Sequence, residues 1–220
     1  MAKNIRAVIF DYGNVLCPMP PASAFEEMAR LSGIPSASFI DSLWRYRLDY
    51  DRGTLDGTSY WKKIAASNEK QFSDSQIDKL MKADFALWIH PRPVLLEWVR
   101  KLQSGGIKTS ILSNMPRDFS RYLRSSAEWL NHFDVKVFSG ELGVVKPDAK
   151  IYQACLEAIT VLPKEALFID DIEVNVMAAR ALGIEAIKFE SIGQLANDML
   201  LFKLPVALDE FLPPKRPANP

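Results

Sequence analysis

The hydrophobic positions of the chain follow two patterns, and each predicts a different kind of structure. Near the amino terminus, Ala7-Val-Ile-Phe10 is a continuous apolar run that ends at Asp11. Such a run is typical of a strand buried on both faces, and strands of that kind belong to parallel sheets. From about residue 91 onward, short apolar runs alternate with amphipathic stretches, which indicates parallel strands joined by helices.

A second pattern fills the segment from about residue 22 to residue 90, where the apolar spacing is helical throughout. The proline-rich stretch Cys17–Pro21 connects this segment to the first strand. Consecutive amphipathic helices without an intervening strand predict a small helical bundle. The helices are expected at Ala24–Leu31, Ser38–Tyr50, Thr58–Ala66 and Ser75–Trp88.

The alternating part of the chain predicts further strands at 107–113, 133–138, 166–171 and 184–189, helices at 94–102, 117–129, 149–159 and 174–182, and a loop at 139–147. The expected fold is therefore α/β, a doubly wound, Rossmann-like parallel sheet with an inserted helical-bundle cap domain. We expect residues 1–16 and 91–203 to form the core. Residues 17–90 would form the cap above the active edge of the sheet, and the proline-rich residues 204–220 an irregular tail.

Composition narrows the choice of partners. The 220 residues include 27 basic and 27 acidic side chains, so we expect no bulk attraction to nucleic acid or to a membrane surface. No apolar run approaches the roughly 20 residues that cross a bilayer, and the first strand begins too early for a signal peptide. The two cysteines, Cys17 and Cys155, suit a reducing compartment. We expect a cytoplasmic protein that acts on a small molecule, of undetermined oligomeric state.

Polar residues stand at the ends of the predicted strands and in the loop before one helix. Because parallel strands place their carboxyl ends at one edge of the sheet, these residues are expected to converge. Neighbouring carboxylates suit Mg²⁺, a hydroxyl and a lysine suit an anionic oxygen, and a further carboxylate remains as a nucleophile. Taken singly, Lys146 is better explained as a surface charge and Ser113 as a turn residue, and the aspartates are equally well explained as caps or turn residues. The residues are Asp11, Ser113, Asn114, Lys146, Asp170 and Asp171.

Four short motifs contain these residues. They are Asp11-Tyr-Gly-Asn-Val15, Leu112-Ser-Asn114, Lys146-Pro147, and Phe168-Ile-Asp-Asp171 followed by Asn175. In content and order they resemble the motifs of the haloacid dehalogenase superfamily of hydrolases. The helical segment after the first strand resembles the cap domain of that family.

The resemblance implies a role for each residue. Asp11 would be the nucleophile that forms an aspartyl-phosphate, Ser113 would donate a hydrogen bond to the phosphoryl group, and Lys146 would neutralise charge and hold Asp11. Asn114 and Asn175 would support the loops. The cofactor implied is Mg²⁺, bound by Asp11, the backbone carbonyl of Gly13, Asp170 and Asp171.

One position departs from the pattern of the family's phosphatases. They usually carry a second aspartate two residues after the nucleophile, which exchanges protons with the leaving group and the attacking water. This chain has Gly13 there, and general acid–base catalysis is worth about 10²–10⁴-fold in rate. Either the substrate has a good leaving group, or another residue supplies the proton. The candidates are Tyr12, Asp49 and Asp51.

Glycine at this position also resembles the dehalogenases of the family, which need no metal but usually lack the paired carboxylates. The Asp-x-Gly-Asn-Val form resembles sugar-phosphate phosphatases too. We therefore expect a Mg²⁺-dependent phosphatase acting on a small, sugar-phosphate-like metabolite. The alternatives are a metal-independent 2-haloacid dehalogenase and a catalytically weak binding or regulatory protein.

The aromatic and charged stretch Trp44-Arg-Tyr-Arg47 in the second predicted helix allows two interpretations. Its charges either form a solvated helix face or reach down to a substrate anion. On the second interpretation, the phosphate contacts would be Ser113, Asn114, Lys146, Arg45 and Arg47.

Overall fold

A parallel sheet forms the centre of the computed structural model, which describes residues 4–202 and 204–211. Its strands are β1 (Ala7–Phe10), β2 (Lys108–Ser113), β3 (Val135–Phe138), β4 (Ala166–Asp170) and β5 (Glu185–Lys188). They lie in the order β3-β2-β1-β4-β5, and all neighbouring pairs are parallel. The predicted α/β fold with a parallel sheet is confirmed.

The strand β1 lies at the centre of this sheet because its side chains are apolar on both faces. Val8 and Phe10 pack into one hydrophobic cluster, and Ile9 packs into a second cluster on the opposite face. In the register, Phe10 lies between Ile111 of β2 and Ile169 of β4. The residues that follow these three positions therefore emerge side by side at the carboxyl edge of the sheet.

The helical insertion after β1 contains α1 (Ala22–Ser32), α2 (Ser36–Arg52), α3 (Gly57–Ser67) and α4 (Asp74–Leu87). Each helix lies within two residues of its predicted bounds. Asp56 and Ser73 cap the amino termini of α3 and α4 by accepting from the backbone of Ser59 and Gln76. Gly53 ends α2 in the left-handed region. The division of the chain into a core domain and a cap domain stays a prediction.

The remaining helices flank the sheet. They are α5 (Pro93–Ser104), α6 (Arg117–Ser126), α7 (Ser139–Leu142), α8 (Ala149–Ile159), α9 (Glu173–Ala181) and α10 (Ile192–Met199), with short 3-10 helices at Glu128–His132, Pro163–Glu165 and Leu208–Phe211. None of the helices in the described ranges has both the length and the apolar composition needed to cross a bilayer.

Three of the sequence-based element assignments were wrong. The helix predicted at 117–129 ends at Ser126, where the hydroxyls of Ser125 and Ser126 donate to the carbonyl of Tyr122. The predicted loop at 139–147 begins with α7. There Gly140 approaches the chain around Arg117 so closely that a Cβ would lie 2.4 Å from the Arg117 nitrogen. The prediction also contained no α10, although Ser191 caps that helix.

The predicted irregular tail is partly ordered. Leu208 is buried, and the indole nitrogen of Trp98 donates to the carbonyl of Val206 at 3.1 Å. The prediction for residues 212–220 concerns positions outside the described residues.

Candidate active site

A cavity of about 330 Å³ opens at the carboxyl edge of the sheet, between the strand ends and the helical insertion. This size lies within the range of small-molecule sites. The structure brings most of the predicted site residues to this cavity, whereas Asp170 lies buried directly behind Lys146. The predicted residues that line the cavity are Asp11, Gly13, Arg47, Ser113, Asn114, Lys146 and Asp171.

The buried Lys146 joins two of the strand ends. Its ammonium nitrogen lies 2.8 Å from Asp11 Oδ1 and 2.6 Å from Asp170 Oδ2, and its side chain is only 1% exposed. Burial alone would lower the pKa of Lys146, but the two carboxylates outweigh it and raise that pKa above its ordinary value. Lys146 is therefore a fixed positive charge between Asp11 and Asp170.

The carboxylate of Asp11 lies directly after β1 and faces the cavity. The backbone nitrogen of Tyr12 donates to Asp11 Oδ1 at 2.6 Å. Burial raises the pKa of Asp11 to about 7, and the attraction of Lys146 only partly offsets burial and the repulsion from Asp170. The carboxylate is thus held by one cation and one amide, in surroundings where its charge is poorly solvated.

The neighbouring Asp170 accepts hydrogen bonds from two further residues of the protein. The backbone nitrogen of Ile172 donates to its Oδ1 at 2.8 Å, and the amide of Asn175 donates to both oxygens at 3.1 and 3.2 Å. The hydroxyl of Tyr152 in turn donates to the carbonyl of Asn175. Asn175 therefore has the supporting position that the resemblance implied, and Asp170 orients Lys146.

The carboxylates of Asp11, Asp170 and Asp171 meet closely enough to hold one metal ion. One oxygen from each lies within 4.8 Å of the others. Asp171 is only partly buried, and Asn14 donates to its Oδ2 at 3.0 Å. Three carboxylates face a single lysine, so the cluster keeps an excess of negative charge with oxygen ligands, which suits a hard divalent cation. The donor set therefore fits Mg²⁺.

The pair Ser113 and Asn114 follows β2 into the cavity. Asn114 accepts from the backbone nitrogen of Lys146 at 2.7 Å and donates to the carbonyl of the same residue at 3.1 Å. Its amide thus clamps the loop that carries Lys146, the supporting position that the resemblance implied, and a contact of Asn114 with phosphate stays a prediction. Ser113 lies at the cavity, where its hydroxyl has one long contact, 3.5 Å to the carbonyl of Asn114.

The two candidate arginines of α2 lie in different surroundings. Arg45 is exposed, pairs with Asp41 on the same helix, and does not line the cavity. The prediction that Arg45 contacts a substrate anion is therefore not supported. Arg47 lines the cavity with its side chain 15% exposed.

The guanidinium of Arg47 is already occupied by two buried carboxylates. Its Nε donates to Asp51 Oδ1 at 2.8 Å, and its Nη1 lies 3.5 Å from Asp84 Oδ2. Sequence reasoning missed Asp84. The signal was present, since Ile77, Leu80 and Asp84 follow the helical spacing of one buried face.

The three candidate proton donors also lie in different surroundings. The hydroxyl of Tyr12 donates to the carbonyl of Trp88, and Asp49 pairs with Arg52 at the surface. Tyr12 and Asp51 both line the same cavity as Asp11, but the hydroxyl proton of Tyr12 is already donated to that carbonyl. Burial raises the pKa of Asp51 to about 6, although the charge of Arg47 lowers it. Of the three, Asp51 has the position and the ionisation suited to exchange a proton with a bound molecule.

Comparison with known proteins gives consistent matches. The family described as haloacid dehalogenase-like hydrolase matches residues 5–183. The chain is 27% identical over 202 residues to acyl-CoA dehydrogenase family member 10 of Mus musculus, covering 86% of this chain and only 18% of that protein. It is 27% identical over 201 residues to a phosphatase of Mycobacterium tuberculosis, strain CDC 1551 / Oshkosh, covering 90% of this chain and 93% of that protein.

Among solved structures, a HAD family enzyme of Bacteroides thetaiotaomicron, in complex with magnesium and inorganic phosphate, matches with a TM-score of 0.70. Its identity to this chain is 23%, and the match covers 84% of this chain and 94% of that one. This likeness shows a shared fold.

Proposed function

We propose that this chain, which belongs to the haloacid dehalogenase-like hydrolases, is a Mg²⁺-dependent phosphatase that acts on a small phosphorylated metabolite through a covalent aspartyl-phosphate on Asp11. The observation that carries the proposal is the cluster of Asp11, Asp170 and Asp171, whose carboxylates place one oxygen each within 4.8 Å of one another, with the buried Lys146 paired to Asp11 and Asp170. The phosphatase of Mycobacterium tuberculosis, which matches over nearly its whole length, supports the same activity. The helical insertion would act as the cap that encloses the substrate.

In this proposal Asp11 attacks the phosphorus atom of the ester. A bond forms between its carboxylate oxygen and phosphorus, and the bond from phosphorus to the ester oxygen breaks. Lys146 favours the ionised form of Asp11 and offsets the charge of the phosphoryl oxygens, and Ser113 donates a hydrogen bond to them. The ester oxygen leaves with a proton from Asp51. Water then attacks the phosphorus and returns a proton to Asp51, the bond from phosphorus to the Asp11 oxygen breaks, and phosphate and free Asp11 are released. Bound Mg²⁺, held by Asp11, the Gly13 carbonyl, Asp170 and Asp171, would supply further charge neutralisation for the phosphoryl group.

Dehalogenation is less well supported by the arrangement of charges. A 2-haloacid carries a carboxylate that needs a free cation near the nucleophile. Lys146 is shared between Asp11 and Asp170, and Arg47 pairs with Asp51 and Asp84. A cytoplasmic location and the absence of nucleic-acid and membrane partners stay predictions.

The metal site gives the first prediction. Replacing Asp171 by asparagine removes one negative ligand, so the Mg²⁺ concentration that gives half-maximal phosphate release should rise by about 10- to 100-fold or more. Titration calorimetry of Mg²⁺ with the same variant should show weaker binding independently of activity. Asp78→Asn is the matched control, because Asp78 is exposed and pairs with Lys82 away from the cavity. An unchanged Mg²⁺ requirement in Asp171→Asn would show that Asp171 is not a ligand of the metal ion.

The second prediction concerns the general acid. This chain has Gly13 where the family's phosphatases usually have an aspartate, and we propose that Asp51 takes over its role. An acid protonates the leaving oxygen and matters most for poor leaving groups. Asp51→Asn should therefore lower the rate with alkyl phosphates by about 10²–10⁴-fold and have little effect with nitrophenyl phosphate. The wild-type rate should depend only weakly on leaving-group pKa.

A second variant serves as the control for this test. A Cβ at residue 13 would meet only the Trp88 ring at 3.8 Å, so the site has space for a side chain. Gly13→Asp in the Asp51→Asn background should restore part of the rate with alkyl phosphates. A steep leaving-group dependence already present in the wild type would instead favour a substrate with a good leaving group and no protein acid.

A further inference from the structure

The cavity above Asp11 has a polar floor and an apolar wall. The floor contains the charged and hydrogen-bonding residues of the strand ends. The wall beyond it contains Trp88, Met115 and Phe119, all of which are buried. A phosphate monoester bound with its phosphoryl group on the floor would therefore place its organic group against hydrocarbon.

The mouth of the same cavity continues this apolar lining. Four large hydrophobic residues there are between 43% and 50% exposed: Met19, Trp44, Leu48 and Ile172. The ring of Trp44 is packed against Phe25 with ring centroids 5.7 Å apart, so it keeps a defined position. Exposed apolar side chains grouped at the rim of a charged site are typical of a ligand-binding groove.

Four polar side chains that line the cavity beside the apolar wall, Tyr12, Asn14, Arg47 and Asp51, each have a partner within the protein. Arg47 and Asp51 bond to each other, Asn14 donates to Asp171, and the hydroxyl of Tyr12 donates to a backbone carbonyl. Two nitrogens of lining residues, Arg47 Nη1 and Trp88 Nε1, have no hydrogen-bond partner among the described residues, but both atoms are buried, and Arg47 Nη1 keeps its 3.5 Å ion pair with Asp84. The several hydroxyls of a sugar would lose water here without gaining equivalent bonds.

We infer that the organic group of the substrate is an apolar hydrocarbon group, and that the enzyme prefers alkyl or similarly apolar phosphate monoesters to sugar phosphates. This inference rests on the phosphatase function proposed above and differs from the sugar-phosphate-like expectation. Asp51 lies beside the apolar wall and would face the bridging oxygen, which every phosphate ester possesses. The apolar wall, by contrast, distinguishes between organic groups.

A chain-length series tests the inference. Ethyl, butyl and hexyl phosphate share nearly the same leaving-group chemistry, so differences in kcat/KM report contacts of the alkyl group. We expect kcat/KM to rise about fourfold for each added methylene until the cavity is filled. Hexose 6-phosphate should be hydrolysed at least about tenfold less efficiently than hexyl phosphate, because its hydroxyls lack partners in the wall.

Two matched variants locate the effect. Leu48→Asn should flatten the dependence on chain length, whereas Leu31→Asn should leave it unchanged. Leu48 and Leu31 are 48% and 47% exposed on neighbouring helices of the insertion, but only Leu48 lines the cavity. A flat series in the wild type, or preference for hexose 6-phosphate, would overturn the inference. Either result is distinct from failure of the phosphatase function itself, in which no ester, including nitrophenyl phosphate, would release phosphate.

Discussion

Asp11→Asn should abolish phosphate release, with a loss of about 10⁴-fold or more in kcat, because the amide cannot form the aspartyl-phosphate on which both half-reactions depend. The loss should be the same for good and poor leaving groups, since the first bond to phosphorus fails to form in every case. The measurement is steady-state release of phosphate from nitrophenyl phosphate with Mg²⁺. Acid-quenched enzyme should carry covalent phosphate in the wild type and none in the variant.

The fold should survive this change. Lys146 keeps its 2.6 Å contact with Asp170, and the substitution removes a charge whose burial already raises the pKa of Asp11 to about 7. The thermal midpoint of Asp11→Asn should therefore equal or exceed that of the wild type.

Three outcomes would contradict the proposed function. Activity of Asp11→Asn within tenfold of wild type would mean that another residue is the nucleophile. Wild-type enzyme that liberates halide from a 2-haloacid and no phosphate from any ester would support a dehalogenase. Release of neither halide nor phosphate by the wild type would support a binding or regulatory protein.

The positions of the site residues along the chain were predictable because the strands are buried on both faces. An apolar run such as Ala7–Phe10 has few structural alternatives, and a parallel sheet brings its carboxyl ends to one edge. The placement of Asp11 and Asp171 at one cavity follows from those two facts, whereas Lys146 lies in the loop between α7 and α8 and was expected there from the order of the motifs. The exact function of Asn114 did not follow, since the same amide can contact phosphate or the backbone of Lys146, and only three-dimensional geometry distinguishes them.

The different surroundings of Arg45 and Arg47 could also have been predicted from the sequence. Arg47 lies on the same face of α2 as Phe39 and Leu43, which are buried, whereas Arg45 does not. Asp84 likewise interrupts the buried face of α4. Two opposite charges, each in the apolar stripe of its own helix, indicate a buried pair. The sequence does not show which helices face each other. The ion pair between Arg47 and Asp84 could therefore be identified only from the structure.

Arg47→Met should cost about 3–5 kcal/mol in the free energy of unfolding, because it leaves Asp51 and Asp84 buried without a compensating charge. The side chains of Asp51 and Asp84 are only 11% and 3% exposed. Arg45→Met is the matched control on the same helix. Arg45 pairs with Asp41 at the surface, where both side chains are more than half exposed, and its loss should cost about 0–1 kcal/mol. Urea unfolding of both variants at pH 7 measures the difference.

The cost of Arg47→Met should also depend on pH. Burial already raises the pKa of Asp51 to about 6 and raises that of Asp84, and Arg47 opposes both shifts, so its removal raises both pKa values further. A carboxyl group with a higher pKa in the folded state stabilises the fold while protonated and loses that contribution as pH rises through the folded pKa. The loss of stability in Arg47→Met should therefore be smaller at pH 5 than at pH 8.

Adding Asp51→Asn and Asp84→Asn to Arg47→Met should recover most of the stability and remove this pH dependence, because no buried charge then remains uncompensated. A penalty that is independent of pH and persists in the triple variant would mean that Arg47 stabilises the insertion through packing of its aliphatic stem instead.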